Sequence, residues 1–416
     1  MSSETQEVEP MPALTLICRN CATEHALDAT GTCTKCFGPL DPTYDWDRIE
    51  RTVTREHLQA GPASIWRYAE LLPVDAPEVA QLPPGWTPLV PAPRLAEELR
   101  IRELWLKLDV ANPTHSFKDR VVAVAAQKAI ELGFGTLSCS STGNLAGAVA
   151  ARAAAEGLEA AVFCPADLEP EKLAAAAVYG PRIFAVNGSY DHCSRLSIEL
   201  SFELEWGFVN VNLRSYYAEG SKTIAYEIAE QLGWRAPDAV VSPIASGALY
   251  HKVGQGFADF RRLGLIDGPL PRLYGGQAAG CDPVATAFRE DAPFRPQKPD
   301  SIARSLAIGN PADGNFAVRT AKETGGHIHT IAEDAIGENM ALLAATTGVF
   351  GETATGVTLG ALRAAIDEGQ IGRDDRVVLL VTGDGLKTPQ AVSHTFAPVQ
   401  IEADADAFLD DVLAVR

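Results

Sequence analysis

The sequence has no uninterrupted apolar run approaching the roughly 18 residues a membrane-spanning helix requires, so a helical integral-membrane protein is not expected. Its opening, MSSETQEVEP, lacks the basic start and apolar core of a secretory signal, and a cytoplasmic location is the expectation. Basic residues are also scarce: 35 stand against 54 acidic ones, a formal net charge of −19. That balance argues against nucleic-acid and membrane partners. It favours a small-molecule partner, with any anionic substrate captured by local positive groups. No repeat of fixed period is present, and the only compositionally biased stretches are alanine-rich.

What is present begins with length. A chain of 416 residues exceeds one ordinary core, so two or three domains with room for a large site between them are expected. Four of the eight cysteines fall in two short pairs, Cys18-x-x-Cys21 and Cys33-x-x-Cys36. Two such pairs suit a tetrahedral structural zinc with no open coordination position. The Gly38-Pro39 turn supports a knuckle of that kind. Two disulfides are disfavoured by the cytoplasmic expectation, and a metal-free ribbon is the remaining alternative. Cys139, Cys164, Cys193 and Cys281 lie scattered and read as core thiols.

From about residue 44 to 100 runs a proline-rich connector that wraps rather than folds alone. Beyond it strand and helix signals alternate. TLSCSS precedes NLAGAVAARAAAEG, EAAVFCP precedes KLAAAAVYG, and RIFAVNG precedes YDHCSRLSIELSFELEWG. A second series runs from DAVVSPIASGALYHKVGQGFADF to DRVVLLVTGDGLKTP. Such alternation predicts parallel sheets covered by helices in two α/β lobes, with a ligand at the carboxyl ends of the strands between them.

Between the apolar runs LWLKLDV and VVAVAAQKAI stands ANPTHSFKDR, residues 111–120, which places Lys118 where strand gives way to helix. A lone lysine there reads as solvated surface charge. Two features weigh against that reading. A cation is not what the positive end of a helix dipole favours, and Asn112-Pro113 bends the entry away from the strand. In a pocket such a lysine loses hydration, its pKa falls, and its neutral amine becomes available for Schiff-base chemistry.

Three more loops follow strands. Ser140-Ser141-Thr142-Gly143-Asn144 leaves backbone N–H groups uncovered at a helix N-terminus, which suits a carboxylate or phosphate. Asn144 can also hydrogen-bond a phenolic oxygen. In Pro243–Ala248 the small residues Ala245, Ser246, Gly247 and Ala248 let several N–H groups converge on a phosphate, and Val381–Gly385 presents the Thr382 hydroxyl at a strand end. Singly, each loop reads as a cap or an ordinary turn. With Lys118 they match one ligand, pyridoxal phosphate, which needs an amine, a phenol partner, a phosphate cup and a ring-nitrogen partner.

The ordered set NPTHSFKDR, SSTGN, EGSKT, GGQAAG, AIGNPA, GETATG and VTGDGLKTP, from about Gly85 to Pro389, resembles the threonine synthase branch of the pyridoxal phosphate enzymes of fold type II. This is the tryptophan synthase β-like superfamily, some of whose members carry an N-terminal ribbon-like segment. The resemblance implies an α/β protein of two lobes with parallel sheets flanked by helices, plus a small N-terminal zinc ribbon. The expected division is a disordered tail over 1–13, the ribbon over 14–42, a large cofactor-binding lobe of 43–105 with 225–416, and a small lobe of 106–224. It implies Lys118 as the Schiff-base lysine, Asn144 beside the phenolic oxygen and Thr382 on the ring nitrogen. The implied enzyme is a lyase converting O-phosphohomoserine and water to L-threonine and phosphate, and family members often form homodimers. A threonine hydroxyl is too weak an acid to protonate the ring nitrogen, which favours elimination and replacement over transamination.

Departures from the family concern the substrate. Leu145 stands where a small or hydroxyl residue is common, Tyr217 lies near the place of an arginine, IASGAL replaces a glycine-asparagine loop, and His115 replaces a small residue. Ser141, Thr142, Arg214 and Lys222 are the expected substrate contacts, the last two restoring positive charge. Two other readings stay open: β-replacement on O-phosphoserine, as in cysteate synthases, or deamination of a hydroxy amino acid; and a non-catalytic paralogue, which intact Lys118, Asn144 and Thr382 disfavour.

Overall fold

The computed structural model describes residues 13–141, 143–168, 170–188, 190–393, 397–401, 403–406 and 408–409. The expected tail over 1–13 therefore falls outside the described residues apart from Ala13, which already begins a strand. Three short strands, β1 (Ala13–Cys18), β2 (Glu24–His25) and β3 (Leu40–Tyr44), form an antiparallel ribbon in the order β2-β1-β3. The proline-rich connector that follows is not featureless. It holds two short helices, Trp46–Thr52 and Arg55–Ala60, each started by a side-chain cap from Asp45 or Thr54.

Two sheets carry the rest. Strands β4 (Leu89–Pro91) and β5 (Glu103–Leu108) come first, then β6 (Thr136–Ser140), β7 (Glu159–Pro165), β8 (Arg182–Val186) and β9 (Gly207–Phe208). The chain then makes β10 (Ala239–Pro243), β11 (Arg272–Ala278), β12 (His327–Ile331) and β13 (Arg376–Val381). The larger sheet has the order β12-β11-β10-β13-β5-β4, parallel except for the antiparallel edge strand β4, and the smaller has β8-β7-β6-β9, all parallel. This is the α/β architecture of two helix-flanked parallel sheets that the alternation predicts. Among the described residues no helix is long and apolar enough to cross a membrane.

Run-on apolar strands follow from burial on both faces. In β13, Val378 and Leu380 join one core with Phe257 and Phe260, while Val377, Leu379 and Val381 join the opposite core with Leu359 and Leu362. The smaller sheet shares a third core with the ribbon: Leu16, Cys18, Cys33 and Leu40 pack in one cluster with Val124, Leu137 and Val149. At Gly31 an added Cβ would lie 2.4 Å from the Val211 carbonyl oxygen, so the ribbon's own backbone is pressed against the smaller lobe.

A buried ion cluster ties these pieces together. Arg120, fully buried on the helix Lys118–Glu131, donates to Asp109 at 2.8 and 2.9 Å and to Glu227 at 2.5 and 2.8 Å. It also donates to the hydroxyls of Thr87 and Thr223, each at 3.0 Å. Lys107 on β5 completes the set, 2.6 Å from Glu227. Burial raises the Glu227 carboxyl, but Arg120 and Lys107 outweigh it and hold the group down at about 2.

Arg120→Met should therefore lower stability by about 3–5 kcal/mol at pH 7, the scale for stranding buried carboxylates, as read by chemical denaturation. A loss below about 1 kcal/mol would contradict the cluster's role. In the wild type the Glu227 contribution is present in full above its ordinary value of 4.5 and should fade as pH falls towards 2.

Candidate active site

Lys118 opens its helix at the end of a loop stitched to the far end of β13. Ser116 bridges Gly383, Phe117 N–H donates to the Thr382 carbonyl at 2.9 Å, and Asp384 N–H donates to the His115 carbonyl at 3.1 Å. The half-buried Lys118 amine lies over the rings of Phe117 and Tyr217 and donates to the Tyr217 hydroxyl at 2.7 Å. Its hydrogen-bonding partner is thus a phenol. His115, exposed in the same loop, takes a left-handed φ of 60°. Thr382 is 2% exposed at the strand end, and the nearby Ser116 hydroxyl is buried with no partner.

On one side of Lys118 lies Asn144, the first residue of the alanine-rich helix Asn144–Glu156. Its amide nitrogen donates to both oxygens of Glu352, at 3.1 and 3.0 Å, and its amide oxygen accepts from Lys387 at 2.7 Å. An acceptor on one end and a donor on the other settle which way the amide points. Lys387 also donates to the Thr114 carbonyl at 2.6 Å, joining this group to the Lys118 loop. Burial raises the Glu352 carboxyl, against the Asn144 hydrogen bond and the charges of Lys387 and Lys118. Burial likewise lowers the Lys387 ammonium, against Glu352, Asp119 and Asp384.

On the other side, Tyr217 belongs to the short helix Arg214–Glu219. Arg214 pairs with Asp313, whose backbone N–H donates to the Ser246 carbonyl at 2.9 Å. Gly247 follows at φ +94°, where an added Cβ would sit 2.7 Å from the Asp313 carbonyl oxygen. This turn feeds the N-terminus of the 15-residue helix Ala248–Arg262, whose first amides have no partners within the helix. The Ser246 hydroxyl accepts from Ala248 N–H at 3.5 Å, and Ala245, Ser246 and Ala248 are all part-exposed.

The expected substrate contacts separate. Ser141 is buried beside Asn144 and its hydroxyl accepts from Gly143 N–H at 3.3 Å, while Thr142 lies outside the described residues. Leu145 packs into the core beneath the smaller sheet. Lys222 is buried and engaged by Glu219 at 2.7 Å and Asp259 at 3.2 Å. Arg214, with its side chain 22% exposed, is the more accessible of the two cations. Glu352 and Lys387 fall within the motifs GETATG and VTGDGLKTP, and Asp313 directly follows AIGNPA, yet none of the three stands out as a site residue in the sequence. Their signal was a charged residue set among small, glycine-rich neighbours.

The ribbon cysteines gather at its tip. Cys18 and Cys36 sulfurs are 3.4 Å apart, Cys21 and Cys33 are 3.6 Å apart, and all four lie within 4.8 Å of one another. A tetrahedron of ~2.3 Å bonds sets sulfurs roughly 3.8 Å apart, so the set fits a structural zinc. Backbone N–H groups of Asn20 and Lys35 donate to Cys18 and Cys33 sulfurs, each at 3.4 Å, as thiolate ligands require.

The central residues fit pyridoxal phosphate: a half-buried amine against a phenol, an oriented amide, a strand-end hydroxyl and a helix N-terminus with no room for a side chain at its turn. The sequence profile of the family described as "Pyridoxal-phosphate dependent enzyme" matches residues 80–383. This chain belongs to that family. Within it, the threonine synthase of Methanocaldococcus jannaschii is 36% identical over 394 residues, 93% of this chain and 96% of that protein. The threonine synthase of Methanosarcina acetivorans is 35% identical over 402 residues, 95% and 98% of the two chains. Among solved structures, processed threonine deaminase isoform 2 of Solanum lycopersicum matches with a TM-score of 0.63 at 17% identity, covering 93% of this chain and 94% of that one. Diaminopropionate ammonia lyase of Escherichia coli matches at 0.62 and 17%, covering 75% and 89%. At that identity these structures establish the family's fold alone.

Metal analysis of purified protein should find about one zinc per chain, and Cys33→Ser should lose it and lower thermal stability. Full thermal stability in metal-free wild type would contradict the ribbon reading.

Proposed function

We propose that the protein is a pyridoxal-phosphate-dependent lyase of the threonine synthase type, converting O-phosphohomoserine and water to L-threonine and inorganic phosphate. The observation that carries this reading is the pair of threonine synthases matched at 35–36% identity along nearly the whole of both chains. The site geometry supports it. A small amino acid is the partner; a homodimer, a cytoplasmic location and the absence of nucleic-acid and membrane partners belong to the same proposal.

In this reading Lys118 is the catalytic residue that binds the cofactor, with Asn144 towards its phenolic oxygen, the Ala245–Ala248 turn around its phosphate and Thr382 at its ring nitrogen. Bound there, the cofactor supplies an electron-withdrawing ring that stabilises negative charge developing on substrate carbon. The Lys118 amine holds and returns protons at Cα and Cβ of the substrate. Tyr217 keeps that amine aimed by accepting its hydrogen bond. Lys387 and Glu352 hold the Asn144 amide in one orientation. Ser141 and Thr142 remain proposed substrate contacts, and Arg214 is better placed than Lys222 to attract the phosphate, because Lys222 already serves two carboxylates.

Purified protein should be yellow, borohydride should trap the cofactor on Lys118, and Lys118→Ala should abolish turnover. Phosphate release should be seen with O-phosphohomoserine in preference to O-phosphoserine, with no ammonia from threonine. Release from O-phosphoserine alone would replace this reading with β-replacement, ammonia release from threonine with a hydroxy amino acid ammonia-lyase, and turnover of none with a non-catalytic paralogue.

Arg214→Ala should cost about 2–5 kcal/mol in kcat/KM for O-phosphohomoserine, the scale for losing a charged contact. Lys222→Met should act mainly on stability, read as a lower Tm with kcat/KM kept in the folded fraction. The opposite pattern would place the anion contact at Lys222.

A further inference from the structure

Arg19 lies between two cysteines of the ribbon, and its side chain reaches from there both to the ribbon's own β3 and beyond the ribbon. One arm donates to Asp41 at 2.5 Å and the other to Asp313 at 2.8 Å, and the guanidinium lies 4.7 Å from the centre of the Phe316 ring. Both targets lead to the helix that begins at Ala248. Asp41 pairs with Lys252 of that helix at 2.8 Å, and Asp313 supports the Ser246–Gly247 turn through its backbone. Asp313 is almost wholly buried, and a lone buried carboxylate beside a phosphate cup would repel a dianion. Arg19 and Arg214 together reverse that charge.

We infer that Arg19 is a positioning residue for the phosphate end of the cofactor, so that metal in the ribbon sets how tightly the cofactor is held. This rests on reading the Ala245–Ala248 turn as the phosphate cup. The four thiolates fix the knuckle backbone, the knuckle fixes Arg19, and Arg19 both neutralises Asp313 and braces the turn. A ribbon that lost its metal would release the guanidinium, and the turn would face the phosphate with an under-compensated carboxylate.

The test is a titration of apoenzyme with pyridoxal phosphate, followed by absorbance and by quenching of protein fluorescence, with zinc content measured on each sample. Arg19→Gln should raise the cofactor Kd by about 10-fold or more while keeping its zinc, the scale for losing an outer-shell partner, and Arg19→Lys should recover part of the loss. Glu24→Gln, exposed on β2 of the ribbon, should leave Kd unchanged. Stripping zinc from wild type should raise Kd comparably, and stripping it from Arg19→Gln should add little. Gly247→Ala serves as the control on the turn itself. If it weakens binding while Arg19→Gln and zinc removal do not, the phosphate cup stands and the ribbon coupling is overturned. If neither Gly247→Ala nor Arg19→Gln changes Kd, the cup reading fails and the coupling fails with it. Strictly independent effects of zinc removal and Arg19→Gln would also overturn the coupling.

Discussion

The buried guanidinium of Arg120 is the constraint on which the rest of the molecule hangs. It stands two residues beyond Lys118 on the same helix and meets Asp109 just past β5, Glu227 on the helix Lys222–Gln231 and Thr87 in the connector. Two cations, Arg120 and Lys107, oppose two carboxylates with almost no water present. Removing any one leaves a charge in a medium that cannot solvate it. All the segments must therefore arrive together, which makes the cluster a device for uniqueness as much as for strength. The packing agrees: an added Cβ at Gly220 would sit 2.7 Å from the Arg120 carbonyl oxygen, so the EGSKT segment lies against the Lys118 helix backbone to backbone.

Much of the fold was legible because its signals are local. β13 reads as RVVLLV since a strand buried on both faces has no polar side to show, and the helix from Asn144 reads as alanine-rich because it lies between strands. The loops holding Lys118, Asn144 and Thr382 could be found because each sits at a boundary between strand and helix. The helices at Trp46–Thr52 and Arg55–Ala60 were hidden by their short length and by the proline-rich stretch that follows them, their caps being visible only once geometry is known. Charge pairing was hidden for a different reason. Nothing local ties Arg19 to Asp313 or Lys387 to Asn144, and Lys222, which reads on sequence as a free cation, has two carboxylates arranged around it by the fold.

The surroundings of Lys118 show how the protein keeps an amine useful. Its direct hydrogen-bond partner is the Tyr217 phenol, which gives the amine a direction. The Glu352 carboxylate is turned towards Asn144 and shadowed by Lys387.

The bridge between Ser116 and Gly383 has a consequence for synthesis. Among the described residues β13 follows every other strand in the chain, yet it sits in the middle of the larger sheet, between β10 and β5. The smaller sheet has all its strands long before, and can form while the larger one still has a gap at its centre. Until Arg376–Val381 is inserted, β5 has no parallel neighbour and the Lys118 loop has no strand end to pair with. The reactive amine is thus set in place by a stretch synthesised long after it, so a chain that stops short of β13 cannot expose a finished site.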